Sequence, residues 1–342
     1  GSEMCIRDRY GEEASPKDVM APRLTTDGVL VQGFFPEADK AEVLVGSRKY
    51  EMEKEDEAGY FAAMIPGRKI PEYEYRVTRG EEVQEFSDPY AFAGQITEAE
   101  EKAFCAGVYY HAYEKLGAHS MEINGVRGTS FAVWAPNAVR VSVVGNFNEW
   151  DGRRHAMHRM PMSGIFELFI PGVKVGDIYK YELKLKGNRI ELKSDPYAAC
   201  TEVPPAGASV VADTGAFQWE DEEWMAGRKK FGDRKQPISI YETSLTDWKD
   251  GAELVEFVKK LNYTHVELHP VMEYLDDEAG EYSTFAYYAP TRRFGMPQDF
   301  QKTVNELHKA GIGLILDWTP SHFPRVEGGL ELFDGCLLYT SP

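Results

Sequence analysis

Apolar and polar positions alternate with period 2 through two separate stretches of the chain, and the second stretch repeats the first. GYFAAMIPG (59–67) recurs as GIFELFIPG (164–172), and YEYRVTRGEEVQEFSDPYA (73–91) recurs as YKYELKLKGNRIELKSDPYA (179–198). Upstream of each, AEVLVG (41–46) matches VRVSVVG (139–145). From Tyr179 to Leu185 every second residue is apolar, the pattern of a strand with one face in a core and one in water. Gly-Asn, Gly-Glu and Pro-Gly dipeptides break the runs and mark turns. Several short strands in so small a span predict a β-sandwich. Two similar sandwiches are therefore expected, over residues 20–94 and 127–200. Residues 95–126 read as a linker that opens with a helix, with Thr97 as its N-cap.

After a second linker (201–235) the pattern changes to strands alternating with helices. ISIYE (238–242), HVELHPV (265–271) and GLILD (313–317) read as strands. AELVEFVKKLN (252–262) predicts a helix with Leu254, Val258 and Leu261 on its buried face. QDFQKTVNELHKAG (298–311) predicts another, with Pro297 at its start, Phe300, Val304 and Leu307 as the buried stripe and Gly311 as its stop. Helix-to-strand links are short, whereas the link from the strand ending near residue 268 to the helix at 298 is long. That asymmetry fits a (β/α)8 barrel, whose chemistry sits at the C-terminal ends of the strands. A doubly wound sheet reads similarly over so short a stretch. The fold class expected is thus multidomain, all-β plus α/β: two immunoglobulin-like sandwiches, then an incomplete barrel start over 236–335.

Composition limits the partners. With 38 Lys and Arg against 56 Asp and Glu, the net charge is −18, which argues against nucleic acid or an anionic membrane surface and leaves a neutral ligand open. No apolar run approaches the roughly 18 residues of a membrane span, and no secretory leader pattern follows the start. The four cysteines are scattered without metal-ligand spacing, so a reducing, cytoplasmic setting is expected, with no cofactor. The two ends have a different origin in this reading. MCIRDR (4–9) and CLLYTS (336–341) back-translate to DNA strings that are reverse complements of each other, like a transposon adapter read through in frame. Gly1-Ser2 reads as a cloning scar. Roughly the first nine residues and residues 336–342 are therefore set outside the fold, the rest of 1–19 is expected to be a flexible N-terminus, and the natural sequence is expected to continue beyond Gly335.

Candidate chemistry concentrates in LILDWTPSHFP (314–324). Asp317 ends a buried strand, and Trp318, Pro320 and His322 lie on the loop beyond it, where a barrel enzyme keeps its working residues. A carboxylate and an imidazole there hold sugar hydroxyls or orient a catalytic group. The alternative is that Asp317 caps the turn and His322 is a solvated loop histidine. His265, Glu267 and His269 share one side of a strand and form a possible metal trio; a plain barrel strand with a polar end accounts for them better. In the second sandwich, an insertion of six residues relative to the first copy carries NFNEWDG, with Trp150 on a turn. A turn tryptophan either stacks on a glucose ring or packs between domains.

DWTPSHFP, with YEKLGAH (113–119), GTSFAVWAPNAVRVSVVGNFNEWDGRRHAM (128–157), LKSDPYA (192–198) and YAPTRRFG (288–295), resembles the α-amylase superfamily, glycoside hydrolase family 13, in its branching-enzyme form. The resemblance implies two N-terminal sandwiches, the second a glycogen-binding-type module, ahead of a catalytic barrel. It implies cleavage of an α-1,4 bond of a glucan and transfer of the piece to form an α-1,6 branch. That chemistry uses two carboxylates about 5 Å apart, which the family carries in an Arg-x-Asp-Ala motif and a following Glu motif. Neither follows Asp317 here, so no catalytic residue is assigned and these 342 residues alone are expected to be inert. Asp317 and His322 resemble the family's active-site Asp and sugar-contacting His, and Tyr282 its sugar-stacking Tyr. Glu281 stands where the family has Gly, Ser283-Thr284 stand for Gln-Pro, and ETSLTDW (242–248) replaces ELHVGS. Leu192 occupies the place of a second module tryptophan, which predicts weak glucan binding. A non-catalytic glucan-binding protein, or a debranching or trehalose-releasing relative, is the competing reading.

Overall fold

The structure, a computed structural model, describes residues 16–229, 237–320 and 323–336. His322, residues 1–15 and residues 337–342 lie outside the described residues, whereas Pro16–Met20, expected within a flexible N-terminus, form a helix in which Val19 and Met20 are buried. The chain divides into two compact units, residues 1–193 with 332–342, and residues 194–331.

The first unit holds two β-sandwiches. In the first, one sheet runs Arg23–Leu24, Val29–Phe34, Tyr60–Ile65, Glu53–Lys54. The other runs Arg48–Glu51, Lys40–Val45, Glu74–Arg79, Glu82–Ser87, with all neighbours in both sheets antiparallel. Alternation sends Val29, Val31, Val43 and Val77 into one core with Phe61 and Ile65. Each such side chain stabilises the fold by roughly 1.5–3 kcal/mol. A one-residue slip would turn the whole set outward, so the apolar pattern itself sets the register.

The second sandwich pairs His158–Arg159, Ile165–Pro171, Val126–Trp134 and Gly117–Ile123 in one sheet. Arg140–Gly145, Ile178–Lys184 and Ile190–Lys193 form the other. Its core contains Phe131, Phe166, Tyr179 and Tyr181, all fully buried. The sequence repeat has a shared steric cause. Gly59 and Gly164 start equivalent strands at φ +104° and +72°. A Cβ would come within 2.8 Å of the Cα of Pro36 at the first and 2.7 Å of that of Pro136 at the second. Each copy thus needs a glycine where the strand crosses the proline loop. Between the sandwiches lies the helix Glu98–Cys105, closed by a reciprocal capping box between Thr97 and Glu100. Its Glu101 is buried and accepts hydrogen bonds from the Met162 and Ser163 amides at 3.0 and 2.9 Å, which ties the helix to the second sandwich.

In the second unit, Ile240–Thr243, His265–Leu268 and Gly313–Leu316 form a parallel sheet with His265–Leu268 in the middle. The helices Gly251–Lys260 and Pro297–Lys309 pack on it through Leu254, Val258 and Leu307. Leu261, expected on the buried face, is instead 49% exposed. The helix ends at Lys260 and the backbone turns left-handed at Asn262, which carries Leu261 away from the core. Val304 is half-buried, whereas its neighbours Thr303 and Asn305 are buried. Asn305 is turned inward because its Oδ1 accepts the Glu220 amide at 2.8 Å. The long link after Leu268 contains an antiparallel hairpin, Met272–Tyr274 with Thr284–Pro290. The fully buried Glu273 clamps it, accepting the Arg292 amide at 2.7 Å and pairing with the Arg293 guanidinium. Parallel strands are ordinarily covered on both faces, yet Ile240 and Leu316 on the two outer strands are 43% and 47% exposed. Among the described residues no helix is long and apolar enough to cross a membrane.

Candidate functional site

The three parallel strands end side by side, and hydrogen bonds extend their ladder one residue further. The His269 amide donates to the Thr243 carbonyl at 3.0 Å and the Asp317 amide to the Leu268 carbonyl at 2.9 Å. His269 and Asp317 are therefore held by backbone just past the strand ends, with their side chains free for other partners. Tyr282 reaches this edge from the loop of the hairpin, and its hydroxyl donates to Asp317 Oδ2 at 2.6 Å. That bond, ahead of burial and of the Asp317 charge, pushes the Tyr282 phenol up to about 12. Tyr282 stays 47% exposed, so its ring face remains open to solvent.

Beside this pair lies a second polar group. His269 Nδ1 is 3.2 Å from Glu281 Oε2, and its Nε2 is 3.3 Å from Glu242 Oε1. Glu281 also accepts from the Ser244 hydroxyl, at a short contact, and from Thr246 Oγ1 at 3.4 Å. The His269 and Tyr282 ring centres are 6.3 Å apart. Glu281, at the position where a glycine was expected by resemblance, thus cross-links the loop after Thr243 to His269. Trp318 is 60% exposed and meets Tyr287 edge-on, with ring centres 6.5 Å apart.

The family resemblance singled out Tyr282 and Asp317 separately, and in the structure the two are hydrogen-bonded to each other. It did not anticipate the Glu242–His269–Glu281 bridge, whose members are far apart in sequence; the one available signal was an acid immediately before Tyr282. The trio His265, Glu267 and His269 does not gather at a metal position. His265 bonds Thr264 Oγ1 at 2.8 Å and His269 is taken by the two glutamates. Among the described residues no three His, Cys, Asp or Glu side chains come together to hold a metal ion.

In the second sandwich, Glu149 and Trp150 adopt consecutive left-handed conformations, φ 59° and 60°. Asn148 holds the turn: its Oδ1 accepts the Gly145 amide at 2.9 Å and its Nδ2 donates to the Val143 carbonyl at 2.8 Å. The Trp150 indole N–H donates to Asn146 Oδ1 at 2.9 Å, which fixes the half-buried ring. Leu192 is 42% exposed.

Family comparison adds identity to this geometry. Residues 9–90 match the N-terminal domain of alpha-1,4-glucan branching enzyme GlgB, and residues 115–198 match carbohydrate-binding module 48, the isoamylase N-terminal domain. Among curated relatives, the 1,4-alpha-glucan branching enzyme GlgB of Cereibacter sphaeroides is 44% identical over 90% of this chain, and that of Cellvibrio japonicus is 40% identical over 93%. The chain spans 44% and 46% of those two proteins, less than half of each. A crystallised putative alpha amylase from Salmonella typhimurium overlaps 64% of this chain and 38% of its own at 20% identity and a TM-score of 0.48. Two consecutive domain matches, and identity sustained across nine-tenths of the residues, make this chain similar, over somewhat less than half of their length, to 1,4-alpha-glucan branching enzymes.

Proposed function

We propose that the protein from which these residues come cleaves α-1,4-glucan chains and rejoins the pieces as α-1,6 branches. In this reading the parallel strands of the second unit begin a (β/α)8 barrel, and their C-terminal edge is one side of the glucan cleft. The observation that carries it is the Tyr282–Asp317 hydrogen bond at that edge, next to an exposed aromatic face. Asp317 accepts the phenol's hydrogen bond and fixes the ring so that it stacks on the sugar beside the bond to be cleaved. The His269–Glu281 pair fixes the loop that carries Tyr282. The nucleophile and general acid belong to the two later family motifs, which these 342 residues do not contain. Trp150, locked by Asn146, serves the second sandwich as a single-ring glucan contact. The similarity to 1,4-alpha-glucan branching enzymes supports the same substrate class. The test is branching of amylose by the product of the uninterrupted gene, read as loss of iodine colour and gain of α-1,6 linkages. These 342 residues alone should be inert in the same assay.

A further inference from the structure

Glu281 and Tyr282 are the two central residues of one tight turn. The Ser283 amide donates to the Gly280 carbonyl at 3.0 Å, and the Ser283 hydroxyl donates to the same oxygen at 2.6 Å, which closes the turn. The two central side chains leave it in different directions. Tyr282 goes to Asp317, just past the third parallel strand in chain order. Glu281 goes to Ser244 and His269, just past the first and second strands. One turn is thus tied to all three strand ends.

Glu281 has both carboxylate oxygens engaged within the protein. Its side chain is 18% exposed. One oxygen is 3.2 Å from His269 Nδ1; the other takes the Ser244 hydroxyl and lies 3.4 Å from Thr246 Oγ1. Ser244 is 7% exposed, and its oxygen accepts the Thr246 amide at 3.2 Å, which caps the short turn Leu245–Asp247. A hydroxyl has one proton and two lone pairs. Here a lone pair holds the loop after the first strand, and the proton holds the turn that carries Tyr282. Both partners lie in stretches where the sequence departs from the family pattern, Glu281 in place of glycine and Ser244 within ETSLTDW. The two departures, 37 positions apart, meet in one contact. Glycine at 281 would deprive the buried Ser244 proton of this acceptor, and an apolar residue at 244 would deprive the carboxylate of this donor. Buried polar groups are rarely left in that condition, so each departure accounts for the other.

We propose that Ser244 and Glu281 are a matched pair of positioning residues: their contact locks the turn so that the Tyr282 ring stands preset for the sugar, and neither residue touches the glucan itself. That the ring meets a sugar rests on the branching reading above; the lock does not. A preset ring avoids the ordering of a loop on binding, so the pair acts on substrate affinity more than on the chemical step.

The test measures KM and kcat for amylose with the uninterrupted gene product, and hydrogen exchange at the Ser283 amide as a readout that needs no activity. Ser244→Ala and Glu281→Ala should each raise KM about tenfold, the scale of one hydrogen bond to a charged group, with a smaller fall in kcat. The double variant should be no worse than Glu281→Ala alone, because both changes remove the same contact. In a Tyr282→Ala background neither should raise KM further, whereas residues that merely support the fold would add their own loss. Glu281→Gln, whose amide oxygen still accepts from Ser244, should recover most of the parent KM. Exchange at Ser283 should quicken in both alanine variants. Additive losses in the double variant, or full losses in the Tyr282→Ala background, overturn the proposal. So does a Glu281→Gln variant as impaired as Glu281→Ala, or unchanged exchange at Ser283. Absence of branching by the parent removes the branching reading alone, and the exchange at Ser283 then decides the lock.

Discussion

Asp88→Asn should change how the first sandwich responds to pH more than it changes stability at any single pH. Asp88 is 2% exposed and accepts hydrogen bonds from the Tyr73 hydroxyl at 2.5 Å, the Tyr75 hydroxyl at 3.0 Å and the Tyr90 amide at 2.9 Å. Burial raises its carboxyl from 3.8 to about 6, and those three donors only partly offset it. Burial, and after it the Asp88 carboxyl, drive both tyrosine phenols well above their ordinary value. Because the folded-state value is the higher one, protonation favours the fold. This contribution is complete below about pH 3.8 and is lost as pH rises through about 6. At about 1.4 kcal/mol for each tenfold change in the protonation equilibrium, the loss is roughly 3 kcal/mol. An asparagine at this position does not titrate, so the gap between the two proteins should shift by nearly that amount between about pH 3 and pH 7. Among the described residues the first sandwich contains no tryptophan, and a chain of several units does not unfold as one. The suitable probe is therefore hydrogen exchange of Val29–Phe34 and Glu74–Arg79, corrected for the intrinsic rate at each pH. A gap that stays constant across this range would refute the reasoning and show that the tyrosine hydroxyls fully offset burial.

Two further outcomes are expected. Limited proteolysis should leave residues 20–200 intact and cut first within 238–317, because the outer strands of the parallel sheet expose Ile240 and Leu316 and each such side chain left wet forgoes up to roughly 1.5–3 kcal/mol; equal resistance of both regions would contradict it. Trp150→Ala should weaken retention in amylose-containing native gels without moving the melting temperature, since the ring is only half-buried. Unchanged retention would return Trp150 to a packing role.

Much of the architecture was legible because it is local. Period-2 alternation, the repeated glycine-then-strand segments and the Thr97 N-cap are decided within a few residues, and the structure realises each of them. The placement of Asp317 followed from a strand running into a carboxylate. What was not legible depends on partners distant in sequence. The hairpin inside the link after Leu268 is clamped by Glu273 against Arg293, an ion pair that no periodicity reveals. Leu261 looked core-facing on a helical projection, and only the left-handed Asn262 takes it out of register. The His269–Glu281 and Ser244–Glu281 contacts arise from loops that meet only in the folded chain.

The most direct test of the central claim is the turnover number for amylose branching by the uninterrupted gene product, compared with its Asp317→Asn variant. Asparagine keeps the shape of the side chain but removes the charge that accepts the Tyr282 hydroxyl. The account predicts measurable α-1,6 branching by the parent and a loss of at least ~100-fold in the variant, the scale of removing one fixed electrostatic group from an active site, at an unchanged melting temperature. Branching that is absent in the parent, or equal in the two proteins, would contradict it.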